Sequence, residues 1–252
     1  MELATTTQIE SVRQTAAAIA AAVGEVIEGK SEAIDLVITA LLAEAHLLIE
    51  DVPGVGKTML ARALARSIDA SSSRIQFTPD LLPSDITGVS VFNQHTRDFE
   101  FSPGGIFAHV VIADEINRAS PKTQSALLEA MEERHVSVDG TSHPLPRPFV
   151  VVATQNPIEM EGTYPLPEAQ LDRFLVKVIV PSPTEDELVQ VLGRTTGQAM
   201  GAAEQVLDEA DVLALLSVCR DIAIAEPILR YATRLVRASD PTSAQAPDKV
   251  KR

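Results

Sequence analysis

Only one cysteine, Cys219, occurs among the 252 residues, so no intrachain disulfide can form; that excludes a disulfide-stapled scaffold and fits a reducing cytoplasm. Basic residues are in deficit. Against 21 Lys and Arg stand 35 Asp and Glu, a formal net charge of −14. With no basic stripe before the last few residues, such a chain repels nucleic-acid backbones, which disfavours DNA or RNA as its main substrate. No long hydrophobic run is present either. The most apolar stretch, 34–49, carries Asp35, Glu44 and His46 and is too short to span a bilayer. Residues 1–7 lack the basic-then-apolar signature of a secretory leader, so a cytoplasmic chain with no membrane span is expected. The five histidines (His46, His95, His109, His135, His143) show no paired metal-ligand spacing. No internal repeat is found.

What is present is an alternation of helical and buried-strand patterns. At 45% hydrophobic and 22% charged residues the chain can bury a proper core. Apolar residues at helical spacing predict helices over 9–26, 31–45 and 58–69, and a Ser120-capped helix over 121–133. Short apolar runs predict strands over 46–50, 74–77, 110–113, 149–154 and 175–180. Asp139-Gly140, inside an alternating stretch at 136–145, is the strongest hairpin signal. Strands alternating with helices imply a parallel sheet covered on both faces. Past Pro181 and Pro183 the pattern is helical, with a capping box at Thr184 and Glu187, helices near 208–222 and 227–238, and a polar tail from 240. Cys219 falls on an apolar helical face and reads as packing rather than reactive.

The segment Asp51-Val-Pro-Gly-Val-Gly-Lys57-Thr58 lies between an expected strand and an expected helix, the context of a P-loop. Gly54 and Gly56 let the backbone turn its N–H groups toward phosphate oxygens, and the following helix N-terminus adds positive potential. Lys57 is placed to reach the β- and γ-phosphates, and the Thr58 hydroxyl to ligate Mg²⁺. Asp51 stands where the pattern calls for glycine, at the entrance of the loop.

The strand at 110–113 runs into Asp114 and Glu115. An acid at the tip of a buried strand beside a P-loop can hold the Mg²⁺ shell, and the next acid can polarise the attacking water; Asp114 is therefore the expected metal partner and Glu115 the expected general base. Asn156, after the strand 149–154, is placed to orient the same water. Arg173, in Leu171-Asp172-Arg173-Phe174, is a candidate arginine finger for the γ-phosphate.

The order of these motifs resembles that of an AAA+ ATPase. More narrowly, EDVPGVGKT, PDLLPSDITG, ADEINRASPKTQSALLEAMEE and VVATQNPIEMEGTYPLPEAQLDRF are similar to the MoxR family, a likeness running over about residues 20–240. The resemblance implies a three-layer αβα core with a five-stranded parallel sheet (1–182) and a helical lid (183–252). It makes Asn156 the sensor 1 residue and Arg173 a finger reaching into the neighbouring subunit. Val26, Ile27 and Gly29 would lie against adenine, and Pro53, Gly54, Val55, Gly56, Lys57, Thr58 and Met59 would surround the phosphates of ATP. It further implies a ring, typically a hexamer, acting as a chaperone-like machine. A partner with a von Willebrand factor A domain and a metalloenzyme client, matured or loaded with its metal cofactor, belong to the same expectation. Family members carry a γ-phosphate-sensing lid arginine in a Gly-Ala-Ser-Pro-Arg-like stretch. None occurs before Arg252, and Arg230, Arg234 and Arg237 stand in a different context, so an incomplete lid is expected.

Two other readings compete. A nucleic-acid-directed ring motor is opposed by the net charge of −14 and by Glu132, Glu133 and Asp139, which offset Arg134, His135, His143 and Arg147 around the hairpin. An ATP-gated binding module with little turnover is favoured by the missing lid arginine and opposed by Glu115 and Asn156.

Overall fold

In a computed structural model of the chain, residues 3–27, 30–50, 57–155, 163–179 and 203–251 are described. The first half runs α1 (Thr6–Gly24), α2 (Ser31–Leu42), β1 (Leu47–Glu50), α3 (Lys57–Ser67), β2 (Ser72–Gln76), α4 (Pro83–Thr87), β3 (Val89–Asn93), β4 (Asp98–Ser102) and β5 (Val110–Asp114). A 3-10 turn at Ile116–Arg118 follows. Then come α5 (Pro121–Glu133), β6 (His135–Val138), β7 (Thr141–Pro144), β8 (Val150–Gln155), α6 (Glu168–Leu171), β9 (Val176–Ile179), α7 (Glu209–Arg220) and α8 (Glu226–Ser239). The capping box expected at Thr184 and Glu187 lies outside the described residues.

Five strands form one parallel sheet in the order β2-β5-β8-β1-β9. Its central strands are apolar at nearly every position because both faces are covered. Leu47, Ile49, Val110, Ile112, Val150, Val152 and Val178 face a cluster completed by α1, α2, α3 and α7. Leu48, Val111, Ala113, Val151 and Ala153 face a second cluster, closed by Leu127, Leu128 and Met131 of α5 and by Phe77, Ile86 and Phe149. This is the three-layer α/β architecture expected. Helix α7 belongs to the same packing unit as the sheet, since Val212 and Leu216 join the first cluster.

Local signals set the ends of the elements. The Thr5 hydroxyl accepts the Gln8 N–H while the Gln8 side chain takes the Thr5 N–H, a capping box that starts α1 three residues before the helical pattern becomes apolar. Ser120 caps α5 through the Thr123 N–H, with Pro121 in its first turn, and Arg134 ends it in the left-handed region. Asp139 (φ 50°) and Gly140 (φ 78°) make the tight turn between β6 and β7, both at positive φ as a two-residue hairpin requires.

The stretch 79–105 holds a second hairpin, β3 against β4. Its strand β3 was not legible in the sequence because Val89, Val91 and Phe92 are exposed, so no buried run marks it. Gly88 (φ 87°) lets the chain enter it, where a Cβ would press on the Ser102 carbonyl.

Candidate active site

All five sheet strands point their carboxyl ends at one edge, where Gln76 pairs with Asp114 and Glu50 pairs with Gln155 in register. That edge is where open parallel sheets bind ligands. Helix α3 starts there, seven residues after β1 ends, and opens with Lys57 and Thr58. The Thr58 hydroxyl comes to 3.4 Å from Asp114 Oδ2. Sequence-predicted metal partners from α3 and β5 are thereby brought together. A hydroxyl and a carboxylate are the hard oxygen donors that Mg²⁺ takes, so the pair fits that ion.

Asp114 is 7% exposed, and among the described residues three side chains meet its carboxylate. Besides Thr58, Arg74 Nε donates to Oδ2 at 2.7 Å and the Thr154 hydroxyl donates to Oδ1 at 3.3 Å. Glu115 follows in the left-handed region (φ 57°, ψ 49°), which turns the chain out of the strand. Its backbone N–H donates to Thr154 Oγ1 at 2.9 Å. Its carboxylate Oε2 accepts from Arg118 Nη1 at 2.9 Å and Gln76 Nε2 at 3.3 Å. Gln76 Oε1 in turn accepts from Arg74 Nη2 at 2.9 Å. One polar network thus joins the two acids through Arg74 and Gln76. None of Arg74, Gln76, Arg118 or Thr154 was singled out from the sequence. Polar residues on β2 and β8 look like ordinary strand ends until the register sets them beside β5.

At the same edge Glu50 takes Lys177, from β9, and accepts from Gln155 Nε2 at 2.8 Å. The Lys177 ammonium, helped by the Gln155 amide, holds the Glu50 carboxyl below the usual range.

Arg173 lies elsewhere. It precedes β9, and two residues later the Leu175 N–H bonds to the His46 carbonyl, at the amino-terminal edge of the sheet. Strands of four or five residues span roughly 13–17 Å, so the whole sheet separates Arg173 from Asp114 of its own chain. Arg173 is ion-paired with Glu132 there.

The same edge holds a buried acid the sequence did not mark. Glu44, 6% exposed, accepts from Arg147 Nε and Nη2 at 2.7 and 2.9 Å and also pairs with Arg220 of α7; its carbonyl takes Arg134. The Arg147 hydrogen bonds are the main cause that holds the Glu44 carboxyl below its usual range. Beside it, His46 Nδ1 accepts the Val151 N–H at 3.0 Å and Nε2 meets the Met131 carbonyl at 3.3 Å, which requires the neutral, Nε2-protonated ring. Burial pushes its pKa down to about 4.

Of the remaining expected site residues, Ile27 is buried, and Val26 and Met59 pack half-buried on the same cluster. Lys57 opens α3. Gly29, Pro53, Gly54, Val55, Gly56 and Asn156 lie outside the described residues. The Cys219 thiol is half-buried and pushed up by that burial, in keeping with an unreactive group.

Among the described residues no helix is long and apolar enough to cross a membrane. A family model described as ATPase family associated with various cellular activities (AAA) matches residues 46–176. YeaC of Bacillus subtilis, itself uncharacterized, is 52% identical over 216 residues, covering 85% of this chain and 68% of that protein. Chaperone MoxR1 of Mycobacterium tuberculosis is 45% identical over 220 residues, covering 86% of this chain but 57% of its own length. A crystal structure from Cytophaga hutchinsonii, described as that of a candidate ATPase, matches with a TM-score of 0.84 at 38% identity, over 92% of this chain and 71% of that one. With the family model matched over more than half of its residues and relatives this similar, the chain belongs to the MoxR family of AAA+ ATPases.

Proposed function

We propose that the chain hydrolyses Mg-ATP as one subunit of a ring, hexameric in the simplest form, and that turnover drives chaperone-like remodelling of a client protein. Bound ATP supplies the γ-phosphoryl group, and Mg²⁺ the charge that neutralises its oxygens. Thr58 and Asp114 hold the metal, and Lys57 and the glycine loop bind the phosphates. Glu115 takes the proton of the attacking water, which Asn156 orients. Arg173 of an adjoining copy offsets charge as the phosphoryl group transfers.

One observation carries this reading: the residues assigned to phosphoryl transfer stand on opposite edges of one sheet. Asp114, Glu115 and Thr58 share the carboxyl edge, while Arg173 stands at the amino edge, beyond reach of its own acids. Such an arrangement becomes complete when copies stack edge to edge, each supplying what the next lacks. The client is proposed to be a metalloenzyme in need of maturation or its metal cofactor, with a von Willebrand factor A domain protein as adaptor. The name of Chaperone MoxR1 supports the chaperone part of that assignment. The chain spans 57% of that relative, so these tasks are stated for the assembled protein. A cytoplasmic setting fits the single cysteine.

The test is complementation. Chains carrying Glu115→Gln and chains carrying Arg173→Ala are each expected to keep only a small, measurable residual rate alone. Mixed, they form interfaces where an intact Glu115 meets an intact Arg173, and ATPase activity returns. Failure of mixing to raise the rate above those residual rates, with both variants folded and binding nucleotide, would place the whole site in one chain.

A further inference from the structure

Arg173 is held in place by its own chain. Its backbone is pinned on both sides: the Phe174 N–H bonds to the Leu171 carbonyl at 3.0 Å, the Phe174 ring is buried, and the Leu175 N–H bonds to His46. What remains free is the side chain, and Glu132 removes that freedom. Nε and Nη2 both donate to the single oxygen Oε2 of Glu132, at 2.9 and 2.6 Å. Glu132 sits in the last turn of α5, so the contact ties the guanidinium to a long helix rather than to its own loop. A guanidinium is planar, and holding it along the Nε–Nη2 edge narrows the headings its other end samples. Among the described residues no acceptor meets Nη1, the end left for an anion. The pair helps line a cavity of about 440 Å³, together with Glu44, His46, Arg134 and Asp172.

We propose that Glu132 is the positioning residue for Arg173, holding the guanidinium so that its free end meets the γ-phosphate of ATP on an adjoining copy. This rests on the intersubunit role proposed above for Arg173. Exposure separates aiming from locking. Side-chain exposures of 32% for Arg173 and 58% for Glu132 leave the pair in water, where an ion pair is too weak to withhold the arginine from a multiply charged phosphate. The same contact still narrows the orientations that a long side chain samples, and orientation is what a transition-state contact needs.

The experiment is steady-state ATPase kinetics of Glu132→Gln in two backgrounds, the natural chain and Arg173→Ala. In the natural chain we expect kcat to fall by about three- to tenfold with KM for ATP unchanged, since an interaction realised in the transition state is weakened. The protein-concentration dependence of the rate and the melting temperature stay as they were, and Glu132→Asp recovers part of the loss. In Arg173→Ala, adding Glu132→Gln changes nothing further. An equal fall in both backgrounds would assign Glu132 a structural role unrelated to Arg173. An unchanged kcat, or a raised one as a lock would give, overturns the positioning role while leaving the shared-site reading intact. Full activity of Arg173→Ala by itself would overturn both.

Discussion

Thr154 reaches across from β8 to Asp114 on the neighbouring strand, its hydroxyl donating to Oδ1 at 3.3 Å. Thr154 Oγ1 in turn accepts the backbone N–H of Glu115 at 2.9 Å. One hydroxyl thus fixes the acid assigned to the metal and, through the left-handed turn, the acid assigned to the water.

Replacing Thr154 by valine keeps the shape and removes both bonds. The Glu115 N–H and one Asp114 oxygen then lose a partner in a largely buried setting, which costs about 1–2 kcal/mol. ATPase activity is expected to fall by at least about tenfold, more than stability alone explains. Thr154→Ser keeps the hydroxyl and should retain most of both. Urea unfolding and ATPase assays on the two variants check this; equal behaviour of valine and serine would remove Thr154 from the site.

Glu115→Gln keeps the side chain's shape but removes the proton acceptor. Turnover should drop by about 10²- to 10⁴-fold, with ATP binding retained. Filter binding of radiolabelled ATP beside phosphate release distinguishes the two steps. Turnover at the natural rate would mean another group takes the proton.

His46 gives a pH dependence with a definite sign. Its folded pKa is near 4 and its ordinary value 6.5. The unfolded chain therefore binds the proton first as pH falls. The stability this group preserves is complete above about 6.5 and is lost between there and about 4, by about 3 kcal/mol in all. Denaturant unfolding at pH 7.5, 6 and 5 should show the decline, and His46→Gln should flatten it. A slope unchanged in the variant would assign the effect to other groups.

Glu44 should matter more than its place in a loop suggests. Glu44→Gln leaves Arg147 and Arg220 without their shared counter-charge, though both reach solvent, so about 2 kcal/mol is expected rather than the full cost of breaking a buried pair. Because its carboxyl titrates below the ordinary range, this stabilisation is present above about pH 4.5 and lost as pH falls further. A melt of the variant at pH 7 tests it; an unchanged midpoint would make the cluster ornamental.

The sequence carried the sheet well because β1, β5 and β8 are buried on both faces and so read as unbroken apolar runs. Asp139-Gly140 announced its hairpin through turn chemistry alone. Helix α1 began earlier than its apolar pattern, since capping by Thr5 is a polar signal that three consecutive threonines blur. For the site, Thr58, Asp114 and Glu115 were legible because each sits at a strand or helix end within a recognisable motif. Arg74, Gln76 and Thr154 were not. Their importance comes from register between strands distant in the chain, as Gln76 opposite Asp114 shows. Glu44 was hidden likewise, its arginine partners lying at 134, 147 and 220.

The strand order has a consequence for synthesis. In the sheet Leu47 of β1 is flanked by Val152 and by Val176, so neither neighbour exists when β1 leaves the ribosome. An apolar strand with both edges open must wait for more than a hundred further residues before it can be paired. Parallel pairings between such distant segments form slowly, and open edges invite association with other nascent chains. The order of synthesis thus leaves β1 the strand that waits longest for its partners.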